Sequence, residues 1–390
     1  MLYEADHQRF FCEKSGGALQ AVYDYRTLAE TSSAEKAFSD THFKGIKRFI
    51  DLLPLNNLNN MPRVPVGDTP CCPFPLSKSE NKNIYFKLEH YNPSGSYYDR
   101  AFSVAAAVGK ENGFSKIGGA VFEAEELRSL IFASRAAELE SYIFTDQELA
   151  ENFSFLNELS NTHIIAVKTN SRQDLFECAA ELIEKNNCYN CSLHYNPYSR
   201  DGLKTIALEL FRQHQSLPDY IFLPPGRGTL VSAVYRGFEE LDTLGWVDNI
   251  PRIISGEPAP EAFIAACQHK SNEGGGNFKP GMDSKTVDNI FAPRAVEESG
   301  GEALALSEQE LNKAQQLLTN KTGLYCSQRE AAGLAAFKQM EDTIEPDKKI
   351  LILLGGSRQI PRLFKEQKNP PAIDIFHNHE NINSILENSD

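Results

Sequence analysis

The sequence predicts an α/β fold with parallel sheets. Three observations predict it: short apolar runs alternate with helix-like segments along most of the chain, several runs end in Gly- or Pro-bearing turns, and 390 residues suffice for two compact lobes. Apolar residues make up 41% and charged residues 24%, the usage of an ordinary globular protein.

In order along the chain, Ile84–Leu88 reads as a short strand, and Asp99–Gly109, rich in small apolar residues, reads as a buried helix. Next come a strand at Ala120–Phe122, a helix over Leu127–Leu139 and a strand at Tyr142–Phe144. The unit repeats as helix Gln147–Leu159, strand His163–Val167, helix Asp174–Glu184 and strand Ser192–Tyr195. These consecutive βα units predict a small lobe, residues 113–196, inserted in a large α/β domain built from 1–112 and 197–390, with 1–80 as an amino-terminal extension.

A second series begins at Asp201, placed to cap a helix through Gln213. Strand Tyr220–Leu223 then runs into Pro224-Pro225-Gly226-Arg227-Gly228, and helix Leu230–Leu241 follows. Ile253–Ile254 and Lys349–Leu354 supply later strands, the last ending in Gly355-Gly356. Ser271–Pro280 reads as a mobile Gly-rich loop and the residues after Lys368 as a polar tail.

Lys plus Arg total 39 against 53 Asp plus Glu, a formal charge of -14. A nucleic-acid or anionic-membrane partner asks for a basic face, so neither is expected. No stretch approaches the roughly 20 apolar residues that cross a bilayer. The start Met1–Asp6 is acidic where a signal peptide is basic and then apolar, so a cytoplasmic protein is expected. Eight cysteines lie without a framework spacing, as reduced thiols do. Cys188-Tyr189-Asn190-Cys191 has C-x-x-C spacing but no second pair, and reads as packing. Glu123, Glu125 and Glu126 at a helix start suit the helix dipole better than a cation, and no metal is expected.

The densest motif is Lys87-Leu88-Glu89-His90-Tyr91-Asn92-Pro93-Ser94-Gly95-Ser96-Tyr97-Tyr98-Asp99-Arg100. It resembles the N-P-[ST]-G-S-[FY]-K-D-R segment of pyridoxal-phosphate enzymes of fold-type II, and of threonine synthase in particular. Other blocks support the resemblance in the same order: Gly16-Gly17-Ala18-Leu19 with Tyr23-Asp24-Tyr25, then Asn196-Pro197-Tyr198 with Asp201-Gly202-Leu203-Lys204-Thr205, then Glu298–Gly301 and Leu306–Leu311. The resemblance implies the fold-type II architecture of two α/β lobes with the site between them, and a homodimer. It also implies a family lysine that forms an imine with the cofactor. That place is Tyr98, whose phenol forms no imine.

Other family positions differ too. The S-x-G-N loop aligns with Phe122-Glu123-Ala124-Glu125, exchanging an amide donor for a carboxylate at Glu125. The hydroxyl residue that pairs with the pyridine nitrogen aligns with Leu354, and the arginine for the substrate phosphate falls at Ser199, beside Arg200. On these grounds no cofactor is expected, with pyridoxal phosphate as the family cofactor whose contacts are lost. Cys12-Glu13-Lys14-Ser15 resembles a zinc knuckle of some relatives with its second cysteine replaced.

Gly226-Arg227-Gly228-Thr229 opens a helix, where backbone N–H groups and the helix dipole favour an anion and Arg227 adds a fork. A tight turn with a solvated arginine is the alternative. The expected ligand is a small anionic or amino-acid-like molecule. Its expected contacts are Ser94, Ser96, Gly226, Arg227, Gly228, Thr229, Arg200 and Lys204, with Tyr98 as proton donor and Glu125 as base or orienting group. Three functions stay open: an enzyme of elimination, cyclisation or condensation without pyridoxal chemistry, an inactive relative serving as binding or regulatory partner, and a pyridoxal enzyme using a displaced lysine such as Lys87 or Lys204.

Overall fold

A computed structural model describes residues 3, 9–34, 36, 38–39, 42–74, 83–159, 161–169, 171–214, 216–273, 288–356 and 375–376. The expected loop beyond residue 273 and most of the expected tail lie outside the described residues.

The chain runs α1 (Tyr25–Thr31), β1 (Cys71–Pro73), β2 (Asn83–Leu88), α2 (Tyr98–Glu111), β3 (Lys116–Ala120), α3 (Ala124–Ala137), β4 (Glu140–Thr145) and α4 (Gln147–Phe153). It continues through β5 (Thr162–Val167), α5 (Arg172–Lys185), β6 (Tyr189–Asn190), α6 (Pro197–Gln213), β7 (Tyr220–Leu223), α7 (Thr229–Thr243), β8 (Arg252–Pro258) and α8 (Phe263–Glu273). The rest is α9 (Asp288–Glu298), β9 (Glu302–Leu306), α10 (Glu308–Thr322), α11 (Ala332–Met340), β10 (Lys349–Leu354) and β11 (Ile375–Phe376).

The strands form two sheets. One has the order β1-β2-β10-β7-β8-β9, parallel except for β1, and the other the order β11-β5-β4-β3-β6, parallel throughout. The fold is therefore α/β with parallel sheets, as the alternation predicts. Both sheets have buried interiors, and strands such as Ile350–Leu354 are accordingly apolar without alternation.

α2 is buried on every side from Tyr98 to Gly109, which its run of small residues, Ala101 and Ala105–Ala107, permits. It packs between α3 and α6. The crossing with α6 is close enough that a Cβ at Gly202 would lie 2.2 Å from the Arg100 carbonyl oxygen. Charges bridge the same contact: Arg100 Nε donates to Glu89 at 2.7 Å and Nη1 to Glu209 at 3.1 Å, while Lys87 pairs with Glu209, all four side chains being inaccessible. Burial alone would raise the Glu209 carboxyl, but Arg100 and Lys87 outweigh it and hold it at about 2.

Several expected elements differ; the strand expected at Ala120–Phe122 runs instead over Lys116–Ala120, and the helix expected over Gln147–Leu159 ends at Phe153. The helix expected from an Asp201 cap begins at Pro197 instead. Asn196 is its cap, accepting from the Tyr198 and Ser199 amides at 2.8 and 3.4 Å, and Pro197 occupies the first turn, where a missing N–H costs nothing. Ser192–Tyr195 is not a strand. The β6 ladder ends at Asn190, whose carbonyl accepts from the Asn196 side chain at 2.8 Å, so the chain turns there into α6. Within the expected tail, Ile375–Phe376 adds a parallel strand beside Ala166–Val167.

Cys188 and Cys191 are both buried, and burial pushes the Cys188 thiol up to about 12. No described helix is long and apolar enough to cross a membrane, and no group of three or more metal-ligating side chains occurs among the described residues.

Candidate active site

The site lies where β10 and β7 end and α2, α3 and α7 begin, the carboxyl-end position at which open α/β sheets place ligands. The loop Asn92–Tyr97 is fastened to the end of β10 by a bridge between Ser96 and Gly356 and by the Tyr97 amide donating to the Gly355 carbonyl at 3.3 Å. The loop thereby fixes the start of α2, and Tyr98 in its first turn is 1% exposed.

Glu123 organises the centre. Tyr98 donates its hydroxyl to Glu123 Oε2 at 3.2 Å, while Arg227 donates Nε and Nη2 to Oε1 at 3.2 and 3.1 Å. Arg329 Nε lies 3.6 Å from the same oxygen and its Nη2 donates to Glu261 at 2.6 Å. The guanidinium of Arg227 lies over the Phe122 ring, 5.0 Å from its centre, and Arg172 lies over that ring at 5.5 Å. Burial opposes ionisation of Glu123, but the Arg227 and Arg329 charges prevail and hold its carboxyl below the usual range. Arg227 itself adopts φ 53°, between Gly226 at φ 47° and Gly228 at φ 87°. The turn after β7 is thus left-handed at three successive residues, and the strain at Arg227 aims its side chain inward.

Two further buried carboxyls, Glu126 and Glu330, lie beside this cluster. Glu126 is 1% exposed, accepts from the Phe122 amide at 2.7 Å, and is raised chiefly by burial. Glu330 is raised to about 8 by burial, then by Glu125 and Glu123, so it carries a proton at neutral pH. It is packed so tightly on the end of β10 that a Cβ at Gly355 would meet Glu330 Oε2 at 1.8 Å. Burial also raises Tyr98 well above the ordinary phenol value, with Glu123 adding to the effect.

Tyr98 and Arg227 therefore meet, but through Glu123. The expected Tyr98–Glu125 pair is not made: Glu125 approaches Arg128 at 3.5 Å. Gly226 and Gly228 shape the loop, whereas Thr229 lies 3.2 Å from His194 Nδ1. Ser94 bonds to Asp99 and to Ser129, and Ser96 accepts from the Tyr98 amide at 3.3 Å, so both brace the loop.

Arg200 and Lys204, expected as ligand contacts, have partners of their own in the structure. Arg200 donates to the Leu19 carbonyl at 2.8 Å and faces Phe291, and Lys204 is buried in pairs with Glu240 at 2.9 Å and Asp201 at 3.1 Å. Arg329 and Glu330 escaped the sequence reading because no motif surrounds them. Their only mark is a charged pair just before the small-residue helix α11. A groove of about 510 Å³ opens beside Ser94, Gly95 and Arg128. A larger cavity, about 670 Å³, lies at the opposite ends of β7 and β8, beside Trp246 and Arg252.

A family profile described as "Pyridoxal-phosphate dependent enzyme" matches residues 63–356. The chain belongs to this family. Its sequence is similar to the threonine synthases of Methanocaldococcus jannaschii, 25% identical over 374 residues covering 91% of this chain and 89% of that protein, and Methanosarcina acetivorans, 26% identical over 377 residues covering 91% and 88%. Its fold is similar to that of serine racemase from Dictyostelium discoideum, with a TM-score of 0.61 at 19% identity, covering 75% of this chain and 92% of that one. A threonine deaminase is similar at a TM-score of 0.57 and 19% identity, covering 73% and 92%. The fold-type II architecture implied by the motifs is the one these neighbours share.

These matches correct the expectation that no cofactor is involved, since the family is described as pyridoxal-phosphate dependent and points to that cofactor. The side chains fit it in part. Arg227 Nη1 is a buried donor with no acceptor among the described residues, which suits an anionic group at the glycine loop. Residue 98 is a tyrosine, whose phenol forms no imine, and Lys87 and Lys204 are buried in ion pairs with Glu209 and Glu240.

Proposed function

We propose that this chain is a threonine synthase-like protein of amino-acid metabolism that takes a small anionic, amino-acid-like ligand at the ends of β10 and β7. It acts on the ligand by proton transfer, in an elimination, cyclisation or condensation. The observation that carries this reading is the buried Tyr98–Glu123–Arg227–Arg329 cluster with one guanidinium nitrogen, Arg227 Nη1, lacking an acceptor among the described residues. The guanidiniums supply a fork for an oxyanion. Tyr98 and Glu330 both hold protons at neutral pH, and Glu330, raised to about 8, lies nearest the range in which a side chain gives up and regains one. Pyridoxal phosphate in this cleft has no imine partner at residue 98. The same proposal includes a lobe at residues 113–196, a homodimer and a cytoplasmic location.

A second reading, an inactive relative that serves as a binding or regulatory partner, is favoured by one observation: the fork of Arg227 is filled by the chain's own Glu123. Turnover of phosphate- or carboxylate-bearing amino acids distinguishes the two. On the first reading Tyr98→Phe and Glu330→Gln each lower kcat by about 100-fold, in the range expected for a general acid, with KM little changed. Binding without turnover in the unaltered protein leaves the second reading. Borohydride treatment with added pyridoxal phosphate tests the displaced lysine: a reduced adduct mapped to Lys87 or Lys204 would replace both.

A further inference from the structure

The ion inventory around the glycine loop is uneven. Arg172, Arg227 and Arg329 lie close enough that each of the other two arginines disfavours the charge on Arg172, while the acids that contact Arg227 or Arg329 among the described residues are Glu123 and Glu261. Glu126 is close to the cluster too, but burial disfavours its charged form. Taking Glu123 away leaves Glu261 as the one carboxylate in contact with these guanidiniums among the described residues, and in a buried site the positive charge left at Arg227 attracts another anion.

Glu123 is also dispensable to the helix it precedes. It is the cap residue of α3, yet its side chain makes no capping hydrogen bond there. Its carboxylate instead presents one oxygen to Arg227 and the other to Tyr98, with 15% of the side chain still open to solvent. A carboxylate or phosphate ligand offers the same two oxygens to the same donors.

We propose that Glu123 is an internal anion that occupies the glycine-loop site and that a ligand oxyanion must displace from Arg227, so that Glu123 sets the affinity of the site. This inference rests on the proposed anion-binding reading and adds a competitor to it. Displacement breaks no covalent bond. The Glu123 carboxylate leaves Arg227 and Tyr98 for its solvent-exposed side, and the incoming oxyanion takes over their donors.

Inorganic phosphate is the probe, titrated calorimetrically into the full chain and into Glu123→Gln and Glu123→Ala, with circular dichroism confirming that each variant is folded. Two variants are used so that misfolding of one leaves the other to decide. The expected result is phosphate bound at least about tenfold more tightly by the folded variant than by the unaltered protein, with the gain lost when Arg227→Met is added. Equal affinity for the variant and the unaltered protein overturns the displacement inference and leaves the anion site standing. A gain that survives Arg227→Met also overturns it, because the phosphate is then held elsewhere. Phosphate bound by none of the proteins overturns the anion reading and this inference together.

Discussion

Arg227 is held at φ 53°, a left-handed conformation that costs a side chain about 1–3 kcal/mol, and its two hydrogen bonds to Glu123 offset that cost. Replacing it by methionine leaves the Glu123 carboxylate buried against Tyr98, with Arg329, at 3.6 Å, as the guanidinium still in contact with it among the described residues. Arg227→Met is therefore expected to destabilise the protein by about 3 kcal/mol, the lower end for breaking a buried pair, read as a fall in the urea midpoint. At this scale the sequence shows the chemistry but not the pairing. That Tyr98 cannot form an imine follows from its residue type alone. Which glutamate it meets does not, because Glu123 and Glu125 both stand at the start of α3 and only the direction of the chain entering that helix selects between them.

Helix α2 and the strand before it are joined by charges that the sequence places in one motif, Lys87, Glu89 and Arg100, and by one it places far away, Glu209. Glu209→Gln leaves Arg100 and Lys87 buried with a single carboxylate, and the expected loss is about 3–5 kcal/mol. The depressed carboxyl also fixes the direction of acid sensitivity. Its folded value of about 2 lies below its ordinary 4.5, so its contribution is complete above about 4.5 and is lost as pH falls toward 2. Urea midpoints measured between these values check both expectations, the variant showing a shallower acid limb. Elements with strong local pattern were legible at this scale: the alanines of α2 and the unbroken apolar run of β10. The start of α6 was not, because Asn196-Pro197 and Asp201 both carry capping chemistry. The packing of Gly202 against Arg100, absent from any local pattern, puts Asp201 inside the helix.

At the scale of the whole molecule, several buried carboxyls oppose the acid trend, Glu330 and Glu257 among them. Glu330 is raised from 4.5 to about 8 and Glu257 from 4.5 to about 7, both chiefly by burial, so the folded state binds more protons than the unfolded state over those windows. Their contribution to stability declines as pH rises from about 4.5 to 8. Stability is thus expected to peak in mildly acidic solution, and Glu330→Gln to flatten the alkaline decline, both read from urea midpoints across pH. The α/β class and the parallel sheets were legible because strand and helix alternation is a local pattern. Strand order was not, since it depends on which distant segments pair. β10 shows what that pairing entails: it lies between β2 and β7 although some 260 residues separate it from the former. A nascent chain leaving the ribosome therefore carries an unfilled slot through the middle of its larger sheet until the codons near 350 have been translated. For most of synthesis β2 and β7 each present an unpaired edge, and the protein's greatest exposure to aggregation comes before release, while its last central strand has yet to be made.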